Sequence, residues 1–219
     1  MTRPLLAAVV VAGFCVVPAQ AQTLVPRVLI DVGGAVIGGG VLGSADATYL
    51  TPGGTPLTLF STSQSWSSGA GVIGHLVVRV KPRVAVELSG SWTRPALRTA
   101  ITGDFEGIAN TVASQTVSQF LTSGGLVVSF RPRGRWTPFA RGAVSWLRHL
   151  SNDQTLYDDG VSADLGGGVR YTWTEKRGHV KPYGLRGDVW MNVRTGGITV
   201  AARSRVIAPG MSLSLMFKL

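Results

Sequence analysis

Cysteine, histidine and long hydrophobic runs are scarce in this chain. Cys15 is the only cysteine among 219 residues, so no intrachain disulfide can form. The three histidines, His75, His149 and His179, show no metal-ligand spacing, and we predict no metal site. The glycine-rich stretches lack the strand-to-helix context of a phosphate loop, so no cofactor is expected either. After residue 21 no window approaches about 18 uninterrupted apolar residues, which excludes a helical membrane protein.

The first residues have the pattern of a secretory leader. Arg3 precedes an apolar run from Leu5 to Val17, and Ala19-Gln20-Ala21 has the small-x-small form of a signal-peptidase site. We therefore predict a signal peptide over residues 1–21 and a single domain over residues 22–219. The leader would take Cys15 with it when it is removed.

The charge balance is basic, with 21 Lys and Arg against 11 Asp and Glu. A net charge of +10 is compatible with nucleic-acid binding. The predicted export and the scatter of the cations argue against it, so no nucleic-acid partner is expected.

Apolar and polar residues alternate in eight segments, as in half-buried strands. Most of these segments are long enough to cross a bilayer as tilted strands, which takes roughly 9–11 residues. The predicted strands are residues 27–38, 69–80, 84–94, 116–130, 136–147, 161–173, 180–193 and 206–219.

The connections between these segments alternate in length. Short basic turns (81–83, 131–135 and 174–179) follow every second strand, and longer polar segments (41–68, 95–115, 148–160 and 194–205) follow the others. Transmembrane barrels have this alternation, with short turns at the periplasmic end and longer loops outside. We therefore predict an all-β fold, an eight-stranded antiparallel up-and-down transmembrane β-barrel.

Strand parity divides the residues into an apolar face without charge and a second face that holds the charged residues. We assign the apolar face to lipid. In the strand 136–147, apolar residues share a face with Arg141, so apolarity alone does not assign its faces. We use the charge instead and predict that Arg141 points inward. An unpaired buried charge costs several kcal/mol, so equal numbers of acids and cations predict a packed ionic interior rather than an open pore. The predicted interior charges are Asp31, Glu87, Asp164, Asp188, Arg79, Arg141, Arg170 and Arg186.

Two further patterns concern the ends of the strands. Trp92, Trp136, Trp146 and Trp173 each fall near a strand end, as in the aromatic girdles of membrane barrels. The short turns are strongly basic, and we predict that their cations contact anionic lipid headgroups. These cations are Lys81, Arg83, Arg131, Arg133, Arg135, Lys176, Arg177 and Lys181, against the single acid Glu175.

The last strand alternates apolar residues up to Phe217, with Leu213, Leu215 and the final Leu219 in the same pattern. In this the sequence resembles the small outer-membrane β-barrels of the OmpA-like and OmpX-like type. The resemblance implies the outer membrane of a Gram-negative-type bacterium, contact with its lipids and lipopolysaccharide, and reading of this strand by the barrel-assembly machinery. The usual terminal Phe is replaced here by Leu219. We expect a monomer with a structural or surface-interaction role.

Two alternatives remain open from the sequence. His149-Leu150-Ser151-Asn152 is similar to a His-x-Ser-Asn motif of the lipid A deacylases, which are also outer-membrane barrels. His149 and Ser151 share a face, so the imidazole could take the hydroxyl proton, with Asp158, Asp159 or Asp164 as the acidic member. In that family the motif lies close to the C-terminus, whereas 70 residues follow His149 here. Apart from this pair, no catalytic residue is expected. The other alternative is a soluble, lipocalin-like barrel with an apolar interior.

Overall fold

The computed structural model describes residues 28–103, 109–151, 157–173, 184–196 and 206–219, and the predicted leader lies outside them. Every regular element in these ranges is a β-strand. No helix in this part of the chain has the length and hydrophobicity of a membrane span. The strands are β1 (Val28–Ile37), β2 (Gly40–Leu50), β3 (Pro56–Trp66), β4 (Gly69–Arg79), β5 (Val84–Thr93), β6 (Ala96–Thr102), β7 (Thr111–Ser129), β8 (Trp136–Ser151), β9 (Tyr157–Thr172), β10 (Gly184–Gly196) and β11 (Val206–Lys218).

Eight of these strands close into a barrel in the order in which they occur in the chain. β1 pairs with β4, and β5, β7, β8, β9, β10 and β11 follow, each antiparallel to its neighbours. β11 then pairs with β1, with Gly34 opposite Leu213. The amide of Leu219 donates to the carbonyl of Val28 at 3.1 Å, which extends this seam. The prediction of an eight-stranded antiparallel up-and-down barrel is confirmed.

The eight predicted strands correspond to the eight barrel strands, with differences at their ends. β7 begins at Thr111 instead of residue 116, and β8 continues to Ser151 instead of residue 147. These extensions lie beyond the apolar band, where neither face of the strand is lined by large apolar residues and the alternation is therefore weak. The first four residues of the predicted strand 180–193 lie outside the described residues.

Three further strands lie in the long polar connections, which the sequence did not predict to contain regular structure. β2 and β3 form a hairpin over residues 40–66, and β6 pairs with β3 and with the first residues of β7. With residues 111–116 of β7 they make a four-stranded extension, here called the protruding sheet. Its strands are rich in Ser, Thr, Gly and Ala, so they lack the apolar face that would have revealed them.

The barrel and the protruding sheet meet at three short breaks, at residues 38–39, 67–68 and 94–95. Backbones approach closely here. A Cβ on Gly39 would lie 2.3 Å from the carbonyl oxygen of Trp66, and one on Gly69 would lie 2.6 Å from the nitrogen of Pro95. Pro95 has no N–H, but its carbonyl accepts from Val117 at 2.9 Å. Some backbone pairing therefore continues across the breaks.

The outer wall of the barrel is apolar. Its exposed side chains include Val32, Val72, Leu88, Leu126, Val144, Leu165, Val189, Leu213 and Leu215. From the short turns up to Trp146, no outward position of the described barrel strands carries a charge. The first charged residues beyond Trp146 are Arg148 and Asp159, which oppose each other across β8 and β9.

Exposed aromatic side chains mark both edges of this wall. Trp136 contacts Tyr171, with ring centroids 4.7 Å apart, at the end of the barrel that carries the turns 80–83 and 130–135. Trp92 lies opposite Phe120 at the end that carries the protruding sheet. Trp146 follows Trp136 by ten positions along β8. At about 3.3 Å per residue and a tilt of about 40°, this corresponds to roughly 25 Å, the height of the apolar band of membrane barrels.

Candidate functional site

The centre of the barrel holds one arginine surrounded by three carboxylates. Nη1 of Arg186 lies 2.9 Å from Oδ2 of Asp31 and 2.7 Å from Oε2 of Glu87. Nε of the same guanidinium donates to Oδ2 of Asp188 at 2.9 Å, and its Nη2 donates to Oδ1 at 2.9 Å. Arg186 and Asp31 are completely buried. The carboxylates come from β1, β5 and β10, so this cluster ties distant parts of the wall together.

Strand parity and the small radius of the barrel explain the cluster. Residues two apart on a strand share a face, so Arg186 and Asp188 both point inward from β10. An eight-stranded barrel has an interior just wide enough for side chains to fill. Charges from different strands therefore meet, and the charges of this cluster are tolerable because they are paired with one another.

Further side chains surround this centre at the same level. Nη1 of Arg141 lies 3.6 Å from Oε1 of Glu87, and Nδ1 of His75 lies 3.4 Å from the same oxygen. The guanidinium of Arg170 lies 4.6 Å from the ring centroid of Phe139. The guanidinium of Arg186 lies 4.8 Å from the same centroid. The Phe139 ring thus offers its π-electrons to two cations.

A second polar layer lies nearer the protruding sheet. Asp164 accepts hydrogen bonds from Ser145, at 2.6 Å, and from the amide of Asn192. Arg194 donates from Nε to Asn192 at 3.0 Å and from Nη1 to Gln119 at 3.2 Å. Each of these five side chains is buried. This layer continues the hydrogen bonding of the lumen to the end next to the protruding sheet, here called the upper end.

An apolar cluster covers this second layer where the barrel meets the protruding sheet. It consists of Leu42, Trp66, Val117 and Val206, with Leu97 packed against it. The Trp66 ring stacks on the imidazole of His149, with centroids 5.0 Å apart. Together the two polar layers and this apolar cover fill the lumen with side chains.

Seven of the eight charges assigned to the interior from sequence are buried. They are Asp31, Glu87, Arg141, Asp164, Arg170, Arg186 and Asp188. Arg79 differs: it is exposed at the last position of β4 and takes no part in the buried network. Parity gives the side on which a residue lies but not its depth, and Arg79 lies at the rim.

Arg194 replaces Arg79 in the count of buried cations that matches the count of buried acids. Only 6 % of its surface is exposed. Sequence reasoning missed it because the predicted strand ended at residue 193. Its parity with Arg186 was the signal that could have identified it. Gln119, His149 and Asn192 were also missed as interior residues, because uncharged polar side chains at strand ends resemble the start of a loop.

The possible catalytic pair lies at the upper end of the lumen. His149 is buried, its Nε2 lies 3.3 Å from Oε1 of Gln119, and Trp66 covers its ring. The Ser151 side chain is outside the described residues, as is that of Asp158. Asp159 is exposed and Asp164 is bonded to Ser145 and Asn192, so neither contacts the imidazole. These contacts are those of a packing residue.

The C-terminal strand lies in the wall with the alternation that the sequence predicts. Leu213 and Leu215 are exposed on the outer face, and Phe217 is half-buried on the same face. Leu219 is exposed at its end. Between them Ser212, Ser214 and Met216 point into the lumen, where Ser212 donates to Asp188 at 3.2 Å.

A closed ring of eight strands with an apolar wall outside and buried charges inside is the reverse of a lipocalin-like barrel, and it excludes that alternative. The chain has the fold of a small outer-membrane β-barrel. In the described ranges, no group of three or more His, Cys, Asp and Glu side chains could hold a metal ion.

Comparisons with known proteins give similarities of structure only. No protein-family model matches the sequence. No curated protein matches it either. The crystal structure of Neisserial surface protein A (NspA) aligns with a TM-score of 0.49 and 10 % identity, over 87 % of this chain and 97 % of that one. The solid-state NMR structure of the outer membrane protein AlkL in DMPC lipid bilayers aligns with a TM-score of 0.49 and 15 % identity, over 89 % and 90 %. The outer membrane protease OmpT from Escherichia coli gives a TM-score of 0.33 and 8 % identity, over 90 % and 98 %.

Proposed function

We propose that this outer-membrane barrel is an anchor that presents the protruding sheet at the cell surface, with its lumen closed to solutes. In this proposal residues 1–21 direct export and are removed. The barrel-assembly machinery reads the last strand, with Leu213, Leu215, Phe217 and Leu219 as its apolar signal. The folded barrel is a monomer surrounded by phospholipid and lipopolysaccharide.

The observation that carries this proposal is the contrast between a filled lumen and an extended sheet. Charged and polar side chains occupy the barrel, and Trp66 and Leu42 cover its upper end. Four strands nevertheless continue past the aromatic edge, and the β2–β3 hairpin runs from Gly40 to Trp66. An ordered sheet beyond the barrel favours a role in contact with other surfaces rather than in transport.

The surface of the protruding sheet suits contact with an uncharged or apolar partner. Its exposed side chains include Val41, Tyr49, Leu50, Ile101 and Val112. Asp46 and Arg98 are the only charged residues among the described positions of its four strands. A surface with so little charge has no strong electrostatic preference and binds through apolar and hydrogen-bonding contacts.

Site-specific labelling tests the placement. Thr55→Cys places a thiol at the tip of the β2–β3 hairpin, and Arg133→Cys places one in the turn at the opposite end. Removal of the predicted leader would leave no other cysteine. We expect a membrane-impermeant maleimide to label Thr55→Cys on intact cells and Arg133→Cys only after permeabilisation. Labelling of Arg133→Cys on intact cells would contradict the proposed orientation.

Shortening the hairpin tests the role. Ala45 and Thr62 are directly opposite in the β2–β3 register, so residues 46–61 can be replaced by Asn-Gly, which forms a two-residue turn. Cells displaying the shortened barrel should adhere less to a hydrophobic surface and to host-type cells than cells displaying the full chain at equal abundance. Heat-modifiable migration on gels checks that the shortened barrel folds. Equal adhesion with both forms would contradict the contact role.

Conductance tests the closed lumen. The full barrel in planar bilayers should show no steady ion current, because side chains from all eight strands fill its interior. A stable open-channel current from the unmodified protein would show that the lumen conducts and would remove the argument for a contact role.

A further inference from the structure

We propose that the turn end of the barrel is a docking surface for anionic glycerophospholipid headgroups. The surface is a set of six exposed cations, here called the basic collar: Arg79, Lys81, Arg83, Arg131, Arg133 and Arg135. The proposal needs only that this end lies at a bilayer surface, so it stands independently of the role of the protruding sheet.

The tertiary structure brings two basic turns together that are about fifty residues apart in sequence. The β4–β5 turn holds Lys81 and Arg83, and the β7–β8 turn holds Arg131 and Arg133. β5 and β7 are neighbours in the barrel. The amide of Ser129 donates to the carbonyl of Arg83 at 2.7 Å, which places one turn directly beside the other. The collar is therefore one continuous surface over the ends of four adjacent strands.

Both turns are internally hydrogen-bonded, so the backbone that carries the cations has a defined conformation. The amide of Lys81 donates to the carbonyl of Val84 at 3.0 Å, and the amide of Val84 donates back at 3.2 Å. In the second turn, Arg133 and Trp136 exchange hydrogen bonds of 2.8 and 3.1 Å. Gly134 has a φ of 62°, the left-handed conformation that such a tight turn requires. A pre-ordered backbone lowers the entropy lost when a ligand binds.

Apolar and aromatic side chains lie directly next to the collar on the outer wall. Phe130 and Trp136 are exposed beside Arg131 and Arg135, and Val80 is exposed beside Lys81. The guanidinium of Arg135 also donates to the hydroxyl of Tyr171 at 3.3 Å. A molecule that fits this surface has an anionic head at the level of the cations and a hydrocarbon chain along the wall, which is the form of a phospholipid.

The charge at this end has one sign. Among the described residues of the turn end no Asp or Glu is exposed, whereas Asp46 and Asp159 are exposed toward the other end. Arginine supplies five of the six collar cations, and its planar guanidinium binds phosphate oxygens in pairs. The uncompensated charge therefore favours phosphate diesters of anionic lipids over zwitterionic headgroups.

Electron spin resonance on the barrel reconstituted in vesicles tests this docking surface. The probes are spin-labelled phosphatidylglycerol and spin-labelled phosphatidylcholine, each present as a trace in phosphatidylcholine vesicles. Because both leaflets have the same composition, the direction of insertion does not affect the result. At low salt, we expect the unmodified barrel to restrict the motion of a several-fold larger fraction of the phosphatidylglycerol label than of the phosphatidylcholine label. This preference should fall in about 0.5 M NaCl, because the charges are screened.

Three double variants with equal loss of charge separate the collar from a general charge effect. They are Lys81→Gln with Arg83→Gln, Arg131→Gln with Arg133→Gln, and, as the control, Arg94→Gln with Arg98→Gln toward the other end. Each collar pair should lower the preference for phosphatidylglycerol, by up to about fivefold for each cation that contacts a headgroup. The control pair should leave it unchanged. Heat-modifiable migration verifies that each variant is folded.

Three outcomes would overturn the proposal. The unmodified barrel could show no preference for the anionic lipid, or the control pair could reduce the preference as much as the collar pairs do. The collar pairs could also leave lipid selectivity unchanged and instead abolish co-sedimentation of the detergent-solubilised barrel with peptidoglycan, which would assign the collar to a polymer rather than to lipid.

Discussion

The strands of the barrel and the strands of the protruding sheet differ in the burial of their residues. In β1 nearly every second residue is buried, and Leu29, Asp31, Ala35 and Ile37 point inward. β2 continues the same direction only two residues later, yet Leu42 is its one buried residue. The pairing is antiparallel in both regions. The difference therefore comes from what lies on the two faces and not from the backbone.

In the barrel the two faces meet unlike environments. The outer face meets hydrocarbon, which excludes charge, and the inner face meets a narrow lumen, in which polar groups need partners. A strand that meets both requirements alternates strictly between apolar and polar residues. Most side chains of the protruding sheet are exposed or half-buried on both faces, so small polar residues suffice and the alternation is lost. An alternating pattern thus reports two different surroundings rather than strand structure as such.

The largest effect that this comparison predicts comes from removing the central arginine. Arg186→Ala leaves Asp31, Glu87 and Asp188 without their shared partner, which should destabilise the barrel by about 3–5 kcal/mol or prevent folding. Arg98→Ala in the protruding sheet removes an exposed arginine and should change stability by about 0.5 kcal/mol or less. Urea unfolding in lipid vesicles, followed by tryptophan fluorescence, measures both.

A milder variant makes this test informative even if Arg186→Ala does not fold. Asp31→Asn keeps a hydrogen-bond acceptor for Arg186 and leaves Glu87 and Asp188 in place, so its loss of stability should be smaller. Equal stability of the Arg186→Ala barrel and the unmodified protein would show that the charge cluster does not hold the wall together.

The second effect concerns the outer wall. Leu213 lies opposite Gly34 and Gly187, in the middle of the apolar band. Leu213→Arg should lower the free energy of unfolding in bilayers by about 2–4 kcal/mol, as expected for a charge near the membrane midplane. Val112→Arg puts the same charge at an exposed apolar position of the protruding sheet and should have little effect. Comparable losses in the two variants would mean that the band does not lie in hydrocarbon.

The smallest effect is expected at the junction of the two regions. His149 is bonded to Gln119 and covered by Trp66, so it is held as a packing residue. Cells expressing Ser151→Ala and cells expressing the unmodified protein should give the same lipid A mass spectrum. Loss of a modified lipid A species in the variant would instead support the hydrolase alternative.

The comparison also explains which features of the structure could be predicted. The eight barrel strands were found because each has an apolar face, and the inward direction of Arg141 followed from its charge. β2, β3 and β6 were missed because neither of their faces is apolar. Arg79 was assigned to the lumen because alternation gives the side of a residue, while its burial depends on its height in the barrel.

The amino-acid sequence by itself determined the number of barrel strands, their direction and the side on which each residue lies, because alternation is a local property of neighbouring positions. Only the tertiary structure decided which charges meet, since Asp31, Glu87 and Arg186 come from strands far apart in the chain. It also decided that two basic turns share one surface and that four strands continue beyond the apolar wall. These depend on register and closure, which are set by the whole ring of strands together.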